Sequence, residues 1–141
     1  MITIERYHDI SVGHRVVGHE NKCSHLHGHN YRITFICSND KLDDIGRIID
    51  FSVIKELLCM WLEDNWDHKM LLWERDPILI KMKNIVPHDI VEVPFNPTAE
   101  NIAKHLVLVV APDLLKETGI TLMGCKVEET RKCSATYMLD K

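Results

Sequence analysis

Hydrophobic and polar residues alternate at the beginning of the chain. Between residues 2 and 14 the even positions carry most of the apolar residues and the odd ones are mostly polar; the even set includes Ile2, Ile4, Ile10, Val12 and His14. A period of two residues is typical of a strand with one buried face. A turn-rich stretch at 18–22 follows, and a second strand is predicted at about 27–37, with Tyr31, Ile33, Phe35 and Cys37 on one face.

Two later segments have the spacing of amphipathic helices. The first begins at a cap formed by Asp50 or Ser52 and runs to about residue 66, with an apolar stripe at Ile54, Leu57, Leu58, Trp61 and Leu62. The second begins at Thr98 and ends or bends at Pro112, with its stripe at Ile102, Ala103, Leu106, Val109 and Val110. We therefore expect two helices that each bury one face.

The last part of the chain alternates again after Gly119. Met123, Cys125, Val127 and Glu129 are predicted on the inner face of a strand, and Leu122, Lys126 and Glu128 on the outer face; a final strand is expected at 135–139. Prolines interrupt the segment 67–97, where residues 90–93 could form a short strand. The order β-β-α-α-β-β predicts an α+β fold, a four-stranded antiparallel sheet with two helices on one face.

Length, composition and charge restrict the class of protein. A chain of 141 residues with 45% hydrophobic and 27% charged residues predicts one globular domain, residues 1–141. Its longest apolar run, 106–111, is far shorter than the roughly 20 residues of a membrane span, and no secretion signal is visible, so we expect a cytoplasmic protein with reduced cysteines. The net charge of -4 gives no reason to expect binding to nucleic acid.

The nine histidines are unusual, and five of them fall between residues 14 and 29. His27 and His29 are two residues apart on the predicted second strand, so both side chains point to one side and could bind one ion. A third imidazole, from His14 or His25, would complete a site with an open coordination position, as in catalytic zinc centres. The pattern itself does not choose between these two, and a histidine-rich strand without metal is the alternative.

Short motifs along the chain resemble the 6-pyruvoyltetrahydropterin synthase superfamily. They occur in the family order and are Ser-Val-Gly-His-Arg at 11–15, Gly-His-Glu at 18–20, Lys-Cys at 22–23, Leu-His-Gly-His-Asn-Tyr at 26–31, Ile-Asp-Phe at 49–51, Asp-His-Lys at 67–69, Asn-Pro-Thr-Ala-Glu-Asn at 96–101 and Glu-Thr at 129–130. Three residues separate Cys23 from His27, a spacing that resembles the bacterial 6-carboxytetrahydropterin synthases; the animal-type pyruvoyl enzymes typically have a longer gap. The segment 72–93 matches no part of this pattern.

The resemblance implies a zinc site and a pterin contact. It implies that His14, His27 and His29 bind zinc and that His25 is not a ligand. It also implies that the Glu129 carboxylate accepts two N–H groups from the guanidine-like edge of the pterin ring. The predicted inner-face position of Glu129 agrees with this role, because an inward carboxylate needs a partner.

The resemblance further implies a catalytic group formed by Cys23, Asp67 and His68. A thiolate beside a metal can remove a proton near neutral pH, because the metal lowers the thiol pKa. His68, oriented by Asp67, would donate and accept protons on the other side of the substrate. Arg15 and Lys69 could meet the substrate triphosphate.

The implied reaction converts 7,8-dihydroneopterin triphosphate to 6-carboxy-5,6,7,8-tetrahydropterin, with release of triphosphate and acetaldehyde, in 7-deazaguanine (queuosine-type) biosynthesis. The implied assembly is a homo-oligomer of trimers stacked into hexamers, in which the Asp-His pair reaches a neighbouring subunit's zinc site. Two alternatives remain. One is 6-pyruvoyltetrahydropterin synthase activity, in which the side-chain carbons are kept; the other is a non-catalytic relative that binds pterin or zinc.

Overall fold

A six-stranded mixed sheet organises the fold. In the computed structural model, which describes residues 1–18 and 24–140, strand β1 (Thr3–His14) pairs antiparallel with β2 (His27–Ser38) along its whole length. Beyond β1 lie β3 (Met70–Trp73) and β4 (Ile90–Val93), both parallel to their neighbours. Beyond β2 lie β5 (Thr121–Glu128) and β6 (Ser134–Met138), both antiparallel. The strand order is β4-β3-β1-β2-β5-β6.

Two helical segments pack on this sheet, as the sequence predicts. The first consists of α1 (Phe51–Ile54), a π-helical turn (Lys55–Cys59) and α2 (Met60–Asn65), and it begins where the Asp50 side chain accepts a hydrogen bond from the backbone of Ser52. The second consists of α4 (Ala99–His105), a π-helical turn (Leu106–Val110) and α5 (Ala111–Leu114). None of the described helices is both long enough and apolar enough to cross a membrane.

The α+β class is confirmed, but the prediction of four antiparallel strands is wrong. The segment 67–97 contains β3, the short helix α3 (Leu79–Ile85) and β4, which form a parallel crossover unit. Gly13 of β1 lies opposite Met70 of β3, and a Cβ atom at Gly13 would lie 2.5 Å from the Met70 Cε. The backbone N–H of Gly13 also donates to the carbonyl of Lys69 at 2.9 Å, so the pairing with β3 brings residues 67–69 alongside the end of β1.

The buried face of the sheet follows the predicted alternation in β1 and β2, but not throughout β5. The inward residues of the first two strands are nearly inaccessible; they include Ile10, Val12, Tyr31, Ile33, Phe35 and Cys37. In β5, however, Leu122 is buried and Met123 is partly exposed, the reverse of the prediction. Ile36 pairs with Gly124 and Cys37 pairs with Leu122, so Met123 is the extra residue of a β-bulge. The bulge shifts the alternation by one residue.

Candidate active site

Three imidazoles meet where β1 ends and β2 begins. His14 lies opposite His27 in the antiparallel pairing, and His29 lies two residues further along β2 on the same face. The Nε2 atoms of His14 and His27 are 3.0 Å apart. One ligand atom from each of the three residues lies within 4.8 Å of the others, and no other group of His, Cys, Asp or Glu in the described part of the chain has this geometry.

Backbone carbonyls determine the tautomers of His14 and His27. Nδ1 of His14 donates to the carbonyl of Pro97 at 2.7 Å, and Nδ1 of His27 donates to the carbonyl of His25 at 2.7 Å. In a neutral imidazole, donation from Nδ1 leaves Nε2 with a lone pair. The two Nε2 lone pairs therefore face each other at 3.0 Å, an arrangement that favours a cation between them.

The third imidazole is also suited to bind a cation. Nε2 of His29 is buried, makes no hydrogen bond to any residue that the structure describes, and lies 3.9 Å from Oε2 of Glu129. Burial lowers the pKa of His29, while the Glu129 carboxylate opposes this decrease. Burial also lowers the pKa of His14 to about 4; the bond to Pro97 opposes the decrease, and the charges of His27 and His29 add to it. His14 and His29 are therefore neutral near pH 7, the form that binds metal, and the three histidines could hold an ion.

Asp67 and His68 form a hydrogen-bonded pair next to Ser11 of β1. Oδ1 of Asp67 accepts from the backbone N–H of Ser11 at 2.9 Å, and Oδ2 accepts from Nδ1 of His68 at 2.8 Å. Burial alone would raise the pKa of Asp67, but the hydrogen bonds from Ser11 and His68 outweigh it and lower the pKa. Asp67 is thus ionised at neutral pH and holds Nδ1 of His68 as the protonated nitrogen.

The backbone of His68 has an unusual conformation. Its φ angle is +60°, in the left-handed region, and its N–H donates to the carbonyl of Ser11 at 2.7 Å. This contact ties the residue to β1, while its side chain remains 79% exposed. Both members of the Asp-His pair line an open groove of about 1170 Å³ that His29 and Glu129 also line. The groove therefore brings together one of the three imidazoles, that of His29, with the Glu129 carboxylate and the Asp67–His68 pair.

Glu129 lies directly after β5, and its side chain is partly buried next to His29. It lines the large groove and also a smaller pocket of about 380 Å³ with Ala99 and Glu100. Glu128 lines the large groove as well, but it lies opposite Arg32 in the sheet. The two adjacent carboxylates therefore have different surroundings, and only Glu129 lies close to an imidazole of the triad.

Four other residues were considered for the site on the basis of the sequence: Cys23, His25, Arg15 and Lys69. Cys23 lies outside the described residues. The side chain of His25 is exposed and is not part of the three-imidazole group. Arg15 forms an ion pair with the buried carboxylate of Asp76, with 3.5 Å between Nε and Oδ2, and Nζ of Lys69 donates to a backbone carbonyl. Both cations thus already have protein partners.

Sequence reasoning missed the residues that hold the site residues in place. Ser11 binds Asp67 and His68 through its backbone and donates from Oγ to the side chain of Asn30 at 2.9 Å. Pro97 binds His14 at the end of β1, and Asn96 binds Val17, three residues further along the chain. These four residues, Ser11, Asn30, Asn96 and Pro97, lie within the motifs at 11–15, 26–31 and 96–101. Their membership in the motifs was the signal in the sequence that could have identified them. Their partners are distant in sequence, so the motifs alone did not reveal these contacts.

Comparisons with known proteins agree on one family. The chain matches the profile of the 6-pyruvoyl tetrahydropterin synthase family over residues 3–140. It is 38% identical over 134 residues to the 6-carboxy-5,6,7,8-tetrahydropterin synthase of Rickettsia typhi, covering 94% of this chain and 97% of that protein. It is 29% identical over 112 residues to the enzyme of the same name from Haemophilus influenzae, covering 75% of this chain and 79% of that protein.

Solved structures have the same fold. A protein from Wolinella succinogenes superposes with a TM-score of 0.84 at 20% identity, covering 99% of this chain and 98% of that one. The 6-pyruvoyl tetrahydropterin synthase of Plasmodium vivax superposes with a TM-score of 0.71 at 18% identity, covering 100% of both chains. At these identities the likeness establishes the architecture, and the activity has to be argued from the site.

Proposed function

This chain belongs to the 6-pyruvoyl tetrahydropterin synthase family, and we propose that it is a zinc-dependent 6-carboxytetrahydropterin synthase. The proposed reaction converts 7,8-dihydroneopterin triphosphate to 6-carboxy-5,6,7,8-tetrahydropterin, with release of triphosphate and acetaldehyde, in 7-deazaguanine (queuosine-type) biosynthesis. The main support is the three-imidazole group, one member of which, His29, lines a groove together with Glu129 and the Asp67–His68 pair. The names of the relatives from Rickettsia and Haemophilus favour the carboxy product.

The proposed zinc ligands are His14, His27 and His29. Their Nε2 atoms are suited to bind a metal, because two are held as acceptors by bonds from Nδ1 and the third is buried with no hydrogen-bond partner among the described residues. Three histidines leave a coordination position open, as in catalytic zinc sites. The chemistry that zinc supplies in such a site is Lewis acidity, which makes nearby hydroxyl groups of a substrate easier to deprotonate.

The proposed proton-transfer groups are Cys23 and His68, with Asp67 as the residue that orients His68. Because Asp67 accepts from Nδ1 of His68, Nε2 of this ring is the nitrogen that can exchange a proton with a substrate in the groove. The thiol of Cys23 would serve as the second base. We further propose that the chain works as a homo-oligomer, a trimer or hexamer; the exposure of His68 in the single chain leaves its imidazole accessible to a neighbouring subunit.

The product of the reaction tests the proposed activity directly. The purified protein with zinc is expected to convert 7,8-dihydroneopterin triphosphate to 6-carboxy-5,6,7,8-tetrahydropterin, and mass spectrometry should detect this product together with equimolar acetaldehyde. A product that retains the three-carbon side chain, formed without acetaldehyde, would identify 6-pyruvoyltetrahydropterin synthase activity instead. Binding of zinc or pterin without turnover would identify a non-catalytic relative.

A pair of adjacent glutamates tests the proposed pterin contact. Glu129→Gln should weaken pterin binding by about 2 to 3 kcal/mol, because a charge-assisted bidentate contact is lost. Glu128→Gln is the matched control, since it makes the same change one residue earlier, opposite Arg32. Titration calorimetry on zinc-loaded protein measures both affinities. Zinc content must be determined in parallel, because Glu129 also lies 3.9 Å from His29. Equal pterin affinities of the two variants would refute the assignment.

A further inference from the structure

Residues in the segment 96–101 form hydrogen bonds to the last residue of β1 and to Val17, which follows it in the chain. The side-chain amide of Asn96 bonds to both backbone groups of Val17: Oδ1 accepts from the N–H at 2.9 Å, and Nδ2 donates to the carbonyl at 2.8 Å. The next residue, Pro97, is buried and accepts Nδ1–H of His14 at 2.7 Å. Two consecutive residues thus bind β1 and its continuation from a position about 80 residues away. We call the residues Asn96, Pro97, Thr98 and Asn101 the clasp.

The clasp is fixed to the N-terminus of α4. The carbonyl of Asn96 accepts from Nδ2 of Asn101 at 2.9 Å and from the backbone N–H of Thr98 at 2.7 Å. Oγ1 of Thr98 accepts from the backbone N–H of Asn101 at 3.1 Å, which is the helix cap. Pro97 lies between these bonds, and its ring restricts its own φ angle. The direction of the Pro97 carbonyl is therefore determined by partners on both sides.

A helix cap alone does not explain this arrangement. Capping requires the Thr98 hydroxyl, but it does not require the side chain of Asn96 to bond to Val17 or that of Asn101 to bond to the Asn96 carbonyl. The bond to Val17 also demands an amide at position 96, because it uses one donor and one acceptor at once. Aspartate lacks the donor, and an aliphatic side chain lacks both.

We infer that Asn96 and Asn101 are positioning residues for His14. They hold the Pro97 carbonyl against Nδ1 of His14, which fixes the tautomer and the rotation of the imidazole and so directs Nε2 toward His27. The role of His14 as a zinc ligand rests on the proposed function. The orientation of the ring does not, because the hydrogen bonds that produce it are all made within this chain.

Two variants and a matched control test the inference on the full-length protein. Asn96→Ala removes both bonds to Val17, and Asn101→Ala removes only the side-chain bond to the Asn96 carbonyl. Asn65→Ala is the control, because Asn65 is an exposed asparagine whose side chain donates to a carbonyl of its own helix. Competition with a chromophoric chelator gives the zinc affinity. Nuclear magnetic resonance of the protein as purified gives the solvent-exchange rate of the His14 Nδ1 proton.

Both clasp variants should bind zinc roughly 10- to 100-fold more weakly than the wild type, the usual effect of losing a partner that orients a metal ligand. Exchange of the His14 Nδ1 proton should be faster by on the order of 10-fold, since its bond to Pro97 opens more often. Asn65→Ala should change neither quantity. A loss of general stability lowers the zinc affinity only when a large fraction of the protein is unfolded, so it would not cause a roughly 10- to 100-fold loss in variants that remain folded at the temperature of measurement.

The outcomes separate the inference from the proposed function. Wild-type zinc affinity and wild-type proton exchange in the folded variants would overturn the inference. If the wild-type protein binds no zinc but the His14 Nδ1 proton still exchanges faster in the variants, the zinc proposal is wrong. The inference that the clasp orients His14 is then still supported. Should Asn96→Ala not fold, Asn101→Ala decides, because it leaves both bonds to Val17 in place.

Discussion

Replacing His27 with alanine is expected to remove zinc and to abolish turnover, whereas His25→Ala is expected to retain zinc. The Nε2 atom of His27 lies 3.0 Å from that of His14. Without His27, the site keeps only two of its three proposed protein ligands. The zinc affinity should therefore fall by more than the roughly 100-fold that marks the upper end for an outer partner. Elemental analysis after dialysis, together with the rate of acetaldehyde release, measures both effects.

The control is informative because His25 and His27 share one short motif. The side chain of His25 is exposed, and its only described link to the site is the backbone carbonyl that accepts from His27, which alanine preserves. The sequence pattern alone allowed His25 as the third ligand, while the structure places His14 in the group. Loss of zinc in His25→Ala with full retention in His14→Ala would reverse the ligand assignment.

The elements with a clear hydrophobic period could be predicted from the sequence. β1 and β2 occupy almost the predicted residues, and the long helical segments begin at Thr98, as predicted, and at Asp50, one of the two predicted alternatives. β3 could not be predicted, because its four residues contain the adjacent Leu71 and Leu72, both fully buried, and a strand buried on both faces shows no alternation. Its parallel pairing with β1 also depends on contacts between distant residues.

The site shows the same division between local and distant information. The pair His27 and His29 was visible because two residues of one strand share a face. The sequence left His14 and His25 as alternatives for the third imidazole. The antiparallel register of β1 and β2 places His14 opposite His27. The clasp was invisible, since Asn96 meets Val17 across 79 positions. The bulge at Met123 shows a further limit, because one extra residue reverses an alternation that looks regular in the sequence.

Removing the imidazole of His68 is expected to lower turnover by roughly 100- to 10,000-fold, the usual contribution of a positioned acid-base group, while zinc content stays at the wild-type level. His68→Asn is the best substitution, because the residue has a φ angle of +60° and asparagine adopts this region more readily than most residues. His88→Asn is the matched control: His88 is exposed, and its carbonyl bond to Lys69 is preserved. Steady-state rates and elemental analysis measure the two effects.

A second variant tests whether Asp67 is needed to orient His68 when the imidazole itself is retained. In Asp67→Asn the amide can still accept from the backbone of Ser11, but its NH₂ group then faces Nδ1 of His68 and favours the tautomer protonated at Nε2. Turnover should fall although the imidazole, the fold and the zinc are retained, because Nε2 then carries the proton and no longer has a lone pair to accept one. If Asp67→Asn works at the wild-type rate, the activity of His68 does not depend on Asp67. If His68→Asn also retains full activity, the acid-base role belongs to another residue, even if the zinc site and the family assignment hold.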